Sequence, residues 1–182
     1  LLGGDYYDFF QISENIVDVV IADVSGHGAA ASLLMPSLAV ALRLRARELS
    51  GPAAIIKDLD QVLQQITNTA TFVTMFYARF DQANKTLQYA NGGHNPPLLL
   101  RSKTGQSGQL EAGGGPIMGI LKEAQFTNTV VTLDPGDILT LFTDGVTEQE
   151  NGAGDEFSIS RLEEVIRNKQ SVPAAALVAD IT

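Results

Sequence analysis

Residues 16–28 read IVDVVIADVSGHG, an apolar run that ends at Asp23 and then breaks into a turn containing glycine. The run predicts a buried β-strand over residues 16–24. Residues 138–145, ILTLFTDG, repeat this design and end the apolar run at Asp144. A carboxylate at the end of a buried strand either starts a turn or needs a neutralising partner, because an unpaired buried charge is costly. No Lys or Arg lies within six residues of either aspartate.

A third acidic stretch lies near the start of the chain, where GGDYYDFF (residues 3–10) presents Asp5 and Asp8. If these carboxylates converge with those of Asp23 and Asp144, they must be neutralised either by protonation or by a divalent cation. Hard cations such as Mg²⁺ and Mn²⁺ accept a shell made only of oxygen ligands. Local chemistry leaves a third interpretation open, in which the aspartates belong to unrelated turns.

The overall composition predicts one globular domain and excludes several kinds of site. The chain has 182 residues, of which 45% are hydrophobic and 18% are charged, as is typical of a domain with a full core. It has no cysteine, which excludes disulfides, thiolate metal ligands and thiol nucleophiles. The net charge of −9 disfavours a nucleic-acid partner, because phosphate backbones bind basic surfaces.

Three features of the sequence bear on location and completeness. No apolar stretch approaches the length of a membrane span, so we expect no membrane segment in this chain. The lack of cysteine fits a reducing compartment, and we expect a cytoplasmic protein. The abrupt start, Leu-Leu-Gly-Gly, suggests a piece of a longer polypeptide.

Hydrophobic periodicity predicts strands first, then two long helices, then more strands and finally helices. Pro36 lies inside the first helix, which we expect it to kink or interrupt. This segregation favours an α+β fold with mostly antiparallel sheets over alternating βαβ units. The predicted elements are strands at 5–12 and 16–24, helices at 29–49 and 52–67, a hairpin of 71–81 with 86–91, a strand at 97–101, a loop at 102–109, a glycine-rich loop at 113–121, a final strand pair of 126–133 with 137–143, and helices at 158–169 and 172–182.

Other candidate sites have less specific support. His27 and His94 both lie beside glycines and could form a zinc site or an acid–base pair, but they are not spaced as ligands on one helix, and a histidine in a turn explains each equally well. Ser25, His27 and Asp144 could be drawn as a triad, yet the nucleophile-elbow pattern is absent. GGGPIMGI lacks the Gly-Lys-Ser/Thr ending of a phosphate-binding loop.

Six motifs in order are more specific than any of them alone: GGDYYDFF, ADVSGHG, FVTMFYARFD, NGGHNPP, GPIMGI and GDILTLFTDGVTE. Their order and spacing resemble the stage II sporulation protein E branch of the metal-dependent type 2C serine/threonine protein phosphatases. The resemblance covers nearly the whole chain. It implies an α+β fold in which two antiparallel β-sheets form a sandwich flanked by helices, with a site for two Mn²⁺ or Mg²⁺ ions at one edge.

The resemblance also assigns roles to particular residues. Asp23 resembles the ligand that bridges the two metals, and Val24 would contribute its backbone carbonyl. Asp144 resembles a second metal ligand, and Asp5 matches the first acidic residue of the family, with Asp8 as an alternative. In the implied mechanism, Asp23 and Asp144 are the catalytic carboxylates, and a metal-activated water attacks phosphorus without a phosphoenzyme.

The implied function is hydrolysis of phosphoserine or phosphothreonine, on an anti-sigma-factor antagonist as the protein substrate. A sensor domain or an activator is the other implied partner. The alternative is a non-catalytic, phosphatase-like binding module in a partner-switching circuit, although an inactive module has no need to keep costly acids together. A third interpretation is some other two-metal phosphodiesterase, for which the acidic charge argues against a nucleic-acid substrate.

Some positions depart from the family pattern. The histidine that directly follows the Asp-Gly pair in eukaryotic type 2C enzymes is displaced here to His27, so its role is not transferred. We expect residues 1–182 to form a single phosphatase domain that lacks the first strands and the last strand of the family, and is therefore truncated at both ends. Asp180 superficially matches the final metal ligand, but Ala174–Ala176 favour a helix, so we expect Asp180 on a helix surface.

The two helices that follow the Asp23 motif are the expected regulatory surface. They come directly after a metal motif, and in the resembling family a helix pair at this place is thought to couple partner binding to assembly of the metal site. A purely structural role, in which residues 29–49 and 52–67 only cover the core, is equally compatible with their pattern.

Overall fold

The computed structural model describes residues 4–25, 29–48, 50–66, 71–170 and 172–181. The elements of these ranges are β1 (Tyr6–Ser13), β2 (Ile16–Val24), α1 (Ala29–Glu48), α2 (Pro52–Ile66), β3 (Val73–Asp81), β4 (Thr86–Gly92), β5 (Leu98–Leu100), β6 (Ser107–Gln109), β7 (Gly114–Gly115), β8 (Thr129–Thr132), β9 (Ile138–Thr140), α3 (Asp144–Thr147), α4 (Ser158–Asn168) and α5 (Ala174–Ile181). No helix in these ranges is both long and apolar enough to span a membrane.

The chain divides into two compact units. Unit 1 comprises Leu1–His94 and Glu111–Leu133, and unit 2 comprises Asn95–Leu110 and Asp134–Thr182. Unit 1 contains a sheet in the order β1-β2-β3-β4-β7, with β8 also paired to β4, and unit 2 contains a sheet in the order β6-β5-β9. All strand pairs are antiparallel except the short pair β4–β7, in line with the predicted mostly antiparallel α+β arrangement.

The core of unit 1 lies between one face of its sheet and the two long helices. In α2 the apolar positions recur at helical spacing, so one face of the helix is buried. Pro52 begins the helix, a position where its missing N–H costs no hydrogen bond. The predicted helix is confirmed, with Ile55, Ile56, Leu59 and Leu63 buried, whereas Ile66 at its last position is 56% exposed. The buried apolar residues include Leu38 and Leu42 of α1, Ile55, Ile56, Leu59 and Leu63 of α2, and Val20, Ala22, Met75 and Tyr77 of the sheet.

Helix α1 runs through Pro36 without interruption, so the expected interruption does not occur, and the other expected outcome, a kink, stays a prediction. Proline removes one backbone hydrogen bond and clashes with the preceding turn. Met35, which precedes it, and Leu38, two positions after it, are buried in the core. Tertiary packing of this face therefore outweighs the local cost.

The expected final strand pair is wrong, because β8 and β9 lie in different sheets. Strand β8 pairs with β4, whereas β9 pairs with β5. The turn between them is closed by Asp137, whose carboxylate accepts the Asp134 N–H at 3.0 Å and the Ser102 N–H at 2.9 Å. This side chain fastens the start of β9 to the end of β5, so the chain crosses to the second sheet instead of forming a hairpin.

Unit 2 is built around a second apolar cluster. The expected loop at 102–109 contains strand β6, which pairs with β5. Helix α5 is formed as predicted, with Leu177 and Ile181 both packed in this cluster. Asp180 therefore lies on a helix, while the proposed helix-capping residue, Ser171, lies outside the described residues. The cluster consists of Leu98, Leu100, Phe142, Leu162, Ile166 and Leu177, with partly buried neighbours.

Candidate metal centre

The register of the first hairpin brings two of the predicted ligands together. Strand β1 pairs with β2 so that Tyr6 faces Ala22, and one further step along both strands puts Asp5 opposite Asp23. The Val24 N–H donates to the Gly4 carbonyl at 3.3 Å, which continues this pairing beyond the strand. Residues directly opposite one another have side chains on the same face of a sheet, so both carboxylates project from the same edge.

Gly4 lies directly beside two oxygen atoms of this edge. A Cβ atom at Gly4 would lie 2.6 Å from the Val24 carbonyl oxygen and 2.8 Å from Asp23 Oδ1. Both of these oxygens belong to predicted metal ligands. Glycine therefore leaves open the space that any larger residue would fill beside the two oxygens.

The end of β2 is held by a reciprocal pair of hydrogen bonds. The Ser25 N–H donates to the Phe72 carbonyl at 2.9 Å, and the Phe72 N–H donates to Ser25 Oγ at 2.8 Å. Ser25 thus closes the approach to β3, a structural use that the triad interpretation did not foresee. His27, the second member of that triad, lies outside the described residues.

Asp144, the remaining predicted ligand, belongs to unit 2. It is exposed and is the first residue of the short helix α3, where its carbonyl accepts the Glu148 N–H at 2.8 Å. The sequence suggested a glycine turn at this place, and the structure has a helical turn instead. The structure thus groups Asp5, Asp23 and Val24 within unit 1, and Asp144 lies in the other unit.

Asp8 is not a candidate ligand, because it lies on the opposite face of the sheet. It pairs with Val20, a core residue under the helices, and its carboxylate contacts the Arg43 guanidinium of α1 at 2.5 Å. Burial raises the pKa of Asp8, but hydrogen bonds from Tyr6 and Arg43 and the charge of Arg43 outweigh it, so the pKa lies below its usual value. Burial and the bond to Asp8 raise the pKa of Tyr6 to about 12.

Sequence reasoning missed Thr74, a neighbour of the site. Thr74 on β3 is the pairing partner of Asp23, and its Oγ1 lies 2.8 Å from Nδ1 of His94. Nothing in the local pattern of FVTMFYARFD marks this threonine; only the register of β2 with β3 identifies it. His94 itself is buried, with 5% of its surface exposed.

The chemistry of the donor set in unit 1 suits a hard divalent cation. In the described part of the chain, no three or more His, Cys, Asp or Glu side chains are grouped so that they could hold a metal ion. Asp5 and Asp23 with the Val24 carbonyl form an all-oxygen set, as Mg²⁺ and Mn²⁺ prefer, beside the space that Gly4 leaves open. These residues therefore fit part of a metal site.

Solved structures define the class of protein to which this fold belongs. The RsbU and RsbW domains of Rv1364c from Mycobacterium tuberculosis match with a TM-score of 0.83 and 24% identity, over 98% of this chain and 49% of that one. The PP2C phosphatase domain of SpoIIE from Bacillus subtilis matches with a TM-score of 0.77 and 18% identity, over 100% of this chain and 53% of that one. RsbX in complex with magnesium matches with a TM-score of 0.74 and 15% identity, over 100% and 79%. The fold is that of the type 2C phosphatases, as expected from the sequence.

Curated relatives narrow this class to one family. Phosphoserine phosphatase RsbU of Bacillus subtilis is 35% identical over 83% of this chain and 45% of its own length, and phosphoserine phosphatase RsbP of the same organism is 30% identical over 81% and 37%. The family model described as stage II sporulation protein E (SpoIIE) matches residues 13–182. The chain belongs to the SpoIIE family, which confirms the family predicted from the six motifs, and its relatives support a protein serine/threonine phosphatase. The chain spans less than half the length of these two relatives.

Proposed function

We propose that this chain is a phosphatase domain that hydrolyses phosphoserine or phosphothreonine in a protein, with two Mn²⁺ or Mg²⁺ ions as cofactors. The observation that carries the proposal is the pair formed by Asp5 and Asp23 at one sheet edge, beside the space that Gly4 leaves open. The names of RsbU and RsbP support the reaction, and the magnesium complex of RsbX supports the type of ion.

In this proposal, Asp5, Asp23 and Asp144 hold the ions with their carboxylates, and Val24 does so with its backbone carbonyl. The chemistry that bound ions supply is a lowered pKa of a shared water and stabilisation of charge on the phosphoryl oxygens. The hydrogen bonds between Ser25 and Phe72 keep the end of β2 in register, which fixes the direction of the Val24 carbonyl. The chain needs no thiol nucleophile, and it has no cysteine.

The finer parts of the proposal concern partners. We propose that the substrate is an anti-sigma-factor antagonist, as the family resemblance implies, and that turnover takes place in the cytoplasm, where such a substrate acts. A sensor domain or activator is the proposed regulatory partner. The occurrence of RsbU and RsbW domains in one solved protein supports a setting in which such domains work with others.

Metal-dependent hydrolysis of p-nitrophenyl phosphate and of a phosphoserine peptide tests the proposal. We expect turnover with Mn²⁺, its loss with a chelator, and its loss in Asp23→Asn, whereas Glu111→Gln, a matched loss of one charge at an exposed position, leaves it unchanged. A folded protein that binds Mn²⁺ but hydrolyses neither substrate would support the non-catalytic binding module instead. Turnover that persists in the chelator would contradict the assignment of metal.

We also propose that α1 and α2 form the surface through which a partner regulates turnover. The outer face of α1 exposes three large apolar side chains, Leu33, Val40 and Leu44. Polar substitutions such as Leu44→Gln should abolish activation by a partner and leave basal turnover unchanged. Val130→Gln on β8, which is similarly exposed, serves as the control, and equal activation in both variants would count against a regulatory role for α1.

A further inference from the structure

A row of side chains crosses the edge of the unit 1 sheet at the candidate metal centre. The β1–β2 register, continued by the bond from Val24 to Gly4, puts Asp5 opposite Asp23, and Asp23 in turn pairs with Thr74 on β3. Directly opposed residues of antiparallel strands have Cβ atoms about 5 Å apart and share a face. The hydroxyl of Thr74 therefore neighbours the carboxylate of Asp23, on the side away from Asp5.

His94 is bonded to this threonine and is itself held rigidly. Its Nδ1 lies 2.8 Å from Thr74 Oγ1. The Asn91 side chain binds the backbone of His94 at both ends: the His94 N–H donates to Asn91 Oδ1 at 2.7 Å, and Asn91 Nδ2 donates to the His94 carbonyl at 2.8 Å. The intervening Gly93 has a φ of +76°, and a Cβ there would collide with Ile117. The imidazole is thus presented to Thr74 by a turn with little freedom.

The direction of the hydrogen bond decides what Thr74 offers to Asp23. A threonine hydroxyl has a single proton. If His94 Nδ1–H donates to Oγ1, that proton is available to the neighbouring carboxylate; if the hydroxyl donates to Nδ1, only lone pairs remain for it. A carboxylate is stabilised by the first arrangement, since a donor to a charged oxygen makes the stronger bond.

We propose that His94 is a positioning residue for the phosphatase reaction: it orients the Thr74 hydroxyl, and through it the Asp23 carboxylate. This inference rests on the proposed metal role of Asp23. Residues behind a metal ligand that fix its orientation typically account for 10–100-fold in metal affinity or activity. It also gives a use to the histidine of NGGHNPP, which the sequence suggested for zinc or for acid–base chemistry.

Two pairs of variants in the same chain test the inference by Mn²⁺ affinity, measured by titration calorimetry, and by kcat and KM. Thr74→Val keeps the shape of the side chain and removes the hydroxyl, whereas Thr74→Ser keeps the hydroxyl. His94→Leu removes the ring nitrogen, whereas His94→Asn places an amide within reach of Oγ1. We expect Thr74→Val and His94→Leu each to lower Mn²⁺ affinity or kcat by about tenfold or more, with KM little changed, and the conservative variants to stay within a few-fold of the original protein.

The double variant Thr74→Val/His94→Leu shows whether the two residues affect Mn²⁺ affinity and kcat jointly or independently. If His94 acts through Thr74, the double variant is no worse than either single variant. Multiplicative losses, or unchanged Mn²⁺ affinity and kcat in folded His94→Leu and Thr74→Val, would overturn the proposal. If His94→Leu does not fold, His94→Ala takes its place in the single and double variants, with the same supporting and overturning outcomes.

Asp23→Asn in the same titration distinguishes this inference from the proposed function. If Asp23→Asn abolishes Mn²⁺ binding while the His94 and Thr74 variants bind normally and turn over normally, only the positioning role fails. If Asp23→Asn binds Mn²⁺ as the original chain does, the metal site itself is wrong, and the positioning role fails with it.

Discussion

At the scale of single residues, the contact between Gly4 and Asp23 is the most specific feature of the candidate metal centre. At this centre the backbones of β1 and β2 lie close together, because the Gly4 carbonyl accepts a hydrogen bond from the Val24 N–H. The missing side chain of Gly4 leaves room beside the Val24 carbonyl oxygen and Asp23 Oδ1. Adding a single methyl group at Gly4 tests whether this space is needed for metal binding.

Gly4→Ala should impair metal binding through a steric effect. Its Cβ would lie 2.6 Å from the Val24 carbonyl oxygen, so one of the two strands has to shift. We expect Mn²⁺ affinity to fall by about tenfold, as for other losses of ligand support, and the free energy of unfolding to fall by about 1–3 kcal/mol. Gly108→Ala is the matched control, because a Cβ there meets nothing within 4 Å. Calorimetry of the two variants would contradict the role of Gly4 if they bound Mn²⁺ equally.

At the scale of secondary-structure elements, a buried ionic cluster joins β2, β3 and the end of α1. Asp18 of β2 is fully buried and accepts from Arg79 Nε and Nη2, both at 2.7 Å, and from the Tyr77 hydroxyl. Arg79 also donates to the Ala46 carbonyl of α1 at 2.7 Å. Burial, followed by the bond to Asp18, raises the pKa of Tyr77, so it stays a donor. The cluster therefore fastens the C-terminal end of α1 to the sheet.

Arg79→Met should destabilise unit 1 strongly. It leaves the Asp18 carboxylate buried without its cation, and breaking a buried pair in this way costs about 3–5 kcal/mol. Chemical denaturation would measure the loss, and Arg161→Met, at an exposed position of α4, should change stability little. A loss below about 1 kcal/mol in Arg79→Met would mean that the cluster does not anchor α1.

Asp137→Asn should reveal the pH dependence of the hydrogen bonds that connect the start of β9 to the end of β5. Burial raises the pKa of Asp137, but hydrogen bonds from Asp134, Ser102 and Arg101 outweigh it and lower the pKa. A depressed folded pKa contributes stability above the unfolded value of about 3.9, and this contribution is lost as the pH falls through the folded pKa. We expect the variant to lose about 1–3 kcal/mol at pH 7, and we expect the difference to shrink as the pH falls below the unfolded pKa of about 3.9 and through the lowered folded pKa. A difference that is constant between pH 7 and pH 2.5 would contradict the ionised role of Asp137.

At the scale of the whole molecule, the described chain forms two compact units that together carry the four predicted ligands. The expectation of a single domain over residues 1–182 and the full ligand set stay predictions. Because a ligand that binds only the folded state stabilises it, thermal unfolding reports on the assembled site.

Mn²⁺ should raise the melting temperature of the chain, by an amount equivalent to about 2.7 kcal/mol at 100 times Kd. Asp23→Asn should lose this shift and should be as stable as the original chain, or more so, without metal, since one repelling carboxylate is removed. Asp180→Asn should keep the full shift, because Asp180 lies on helix α5. Loss of the shift in Asp180→Asn would show that this residue is a ligand after all.

Local sequence patterns were sufficient to predict the family, helix α2 and strand β2, which carries Asp23. Apolar alternation and helical spacing are properties of residues close in sequence, so they can be recognised without knowing which elements pack together. The six ordered motifs predict the family for the same reason, because each is a short local stretch of sequence.

Pairing between distant strands was decided by the tertiary structure alone. Asp8 has the same local chemistry as Asp5, but the register of β1 places it against Arg43 on the other face. Strands β8 and β9 follow one another in sequence, yet they lie in different sheets, and β9 is fixed beside β5 by hydrogen bonds that Ser102 and Arg101 donate to Asp137. Thr74 and His94 meet only because β3 lies beside both β2 and β4. Such contacts depend on which strands become neighbours, and that choice depends on packing across the whole core rather than on any local stretch of sequence.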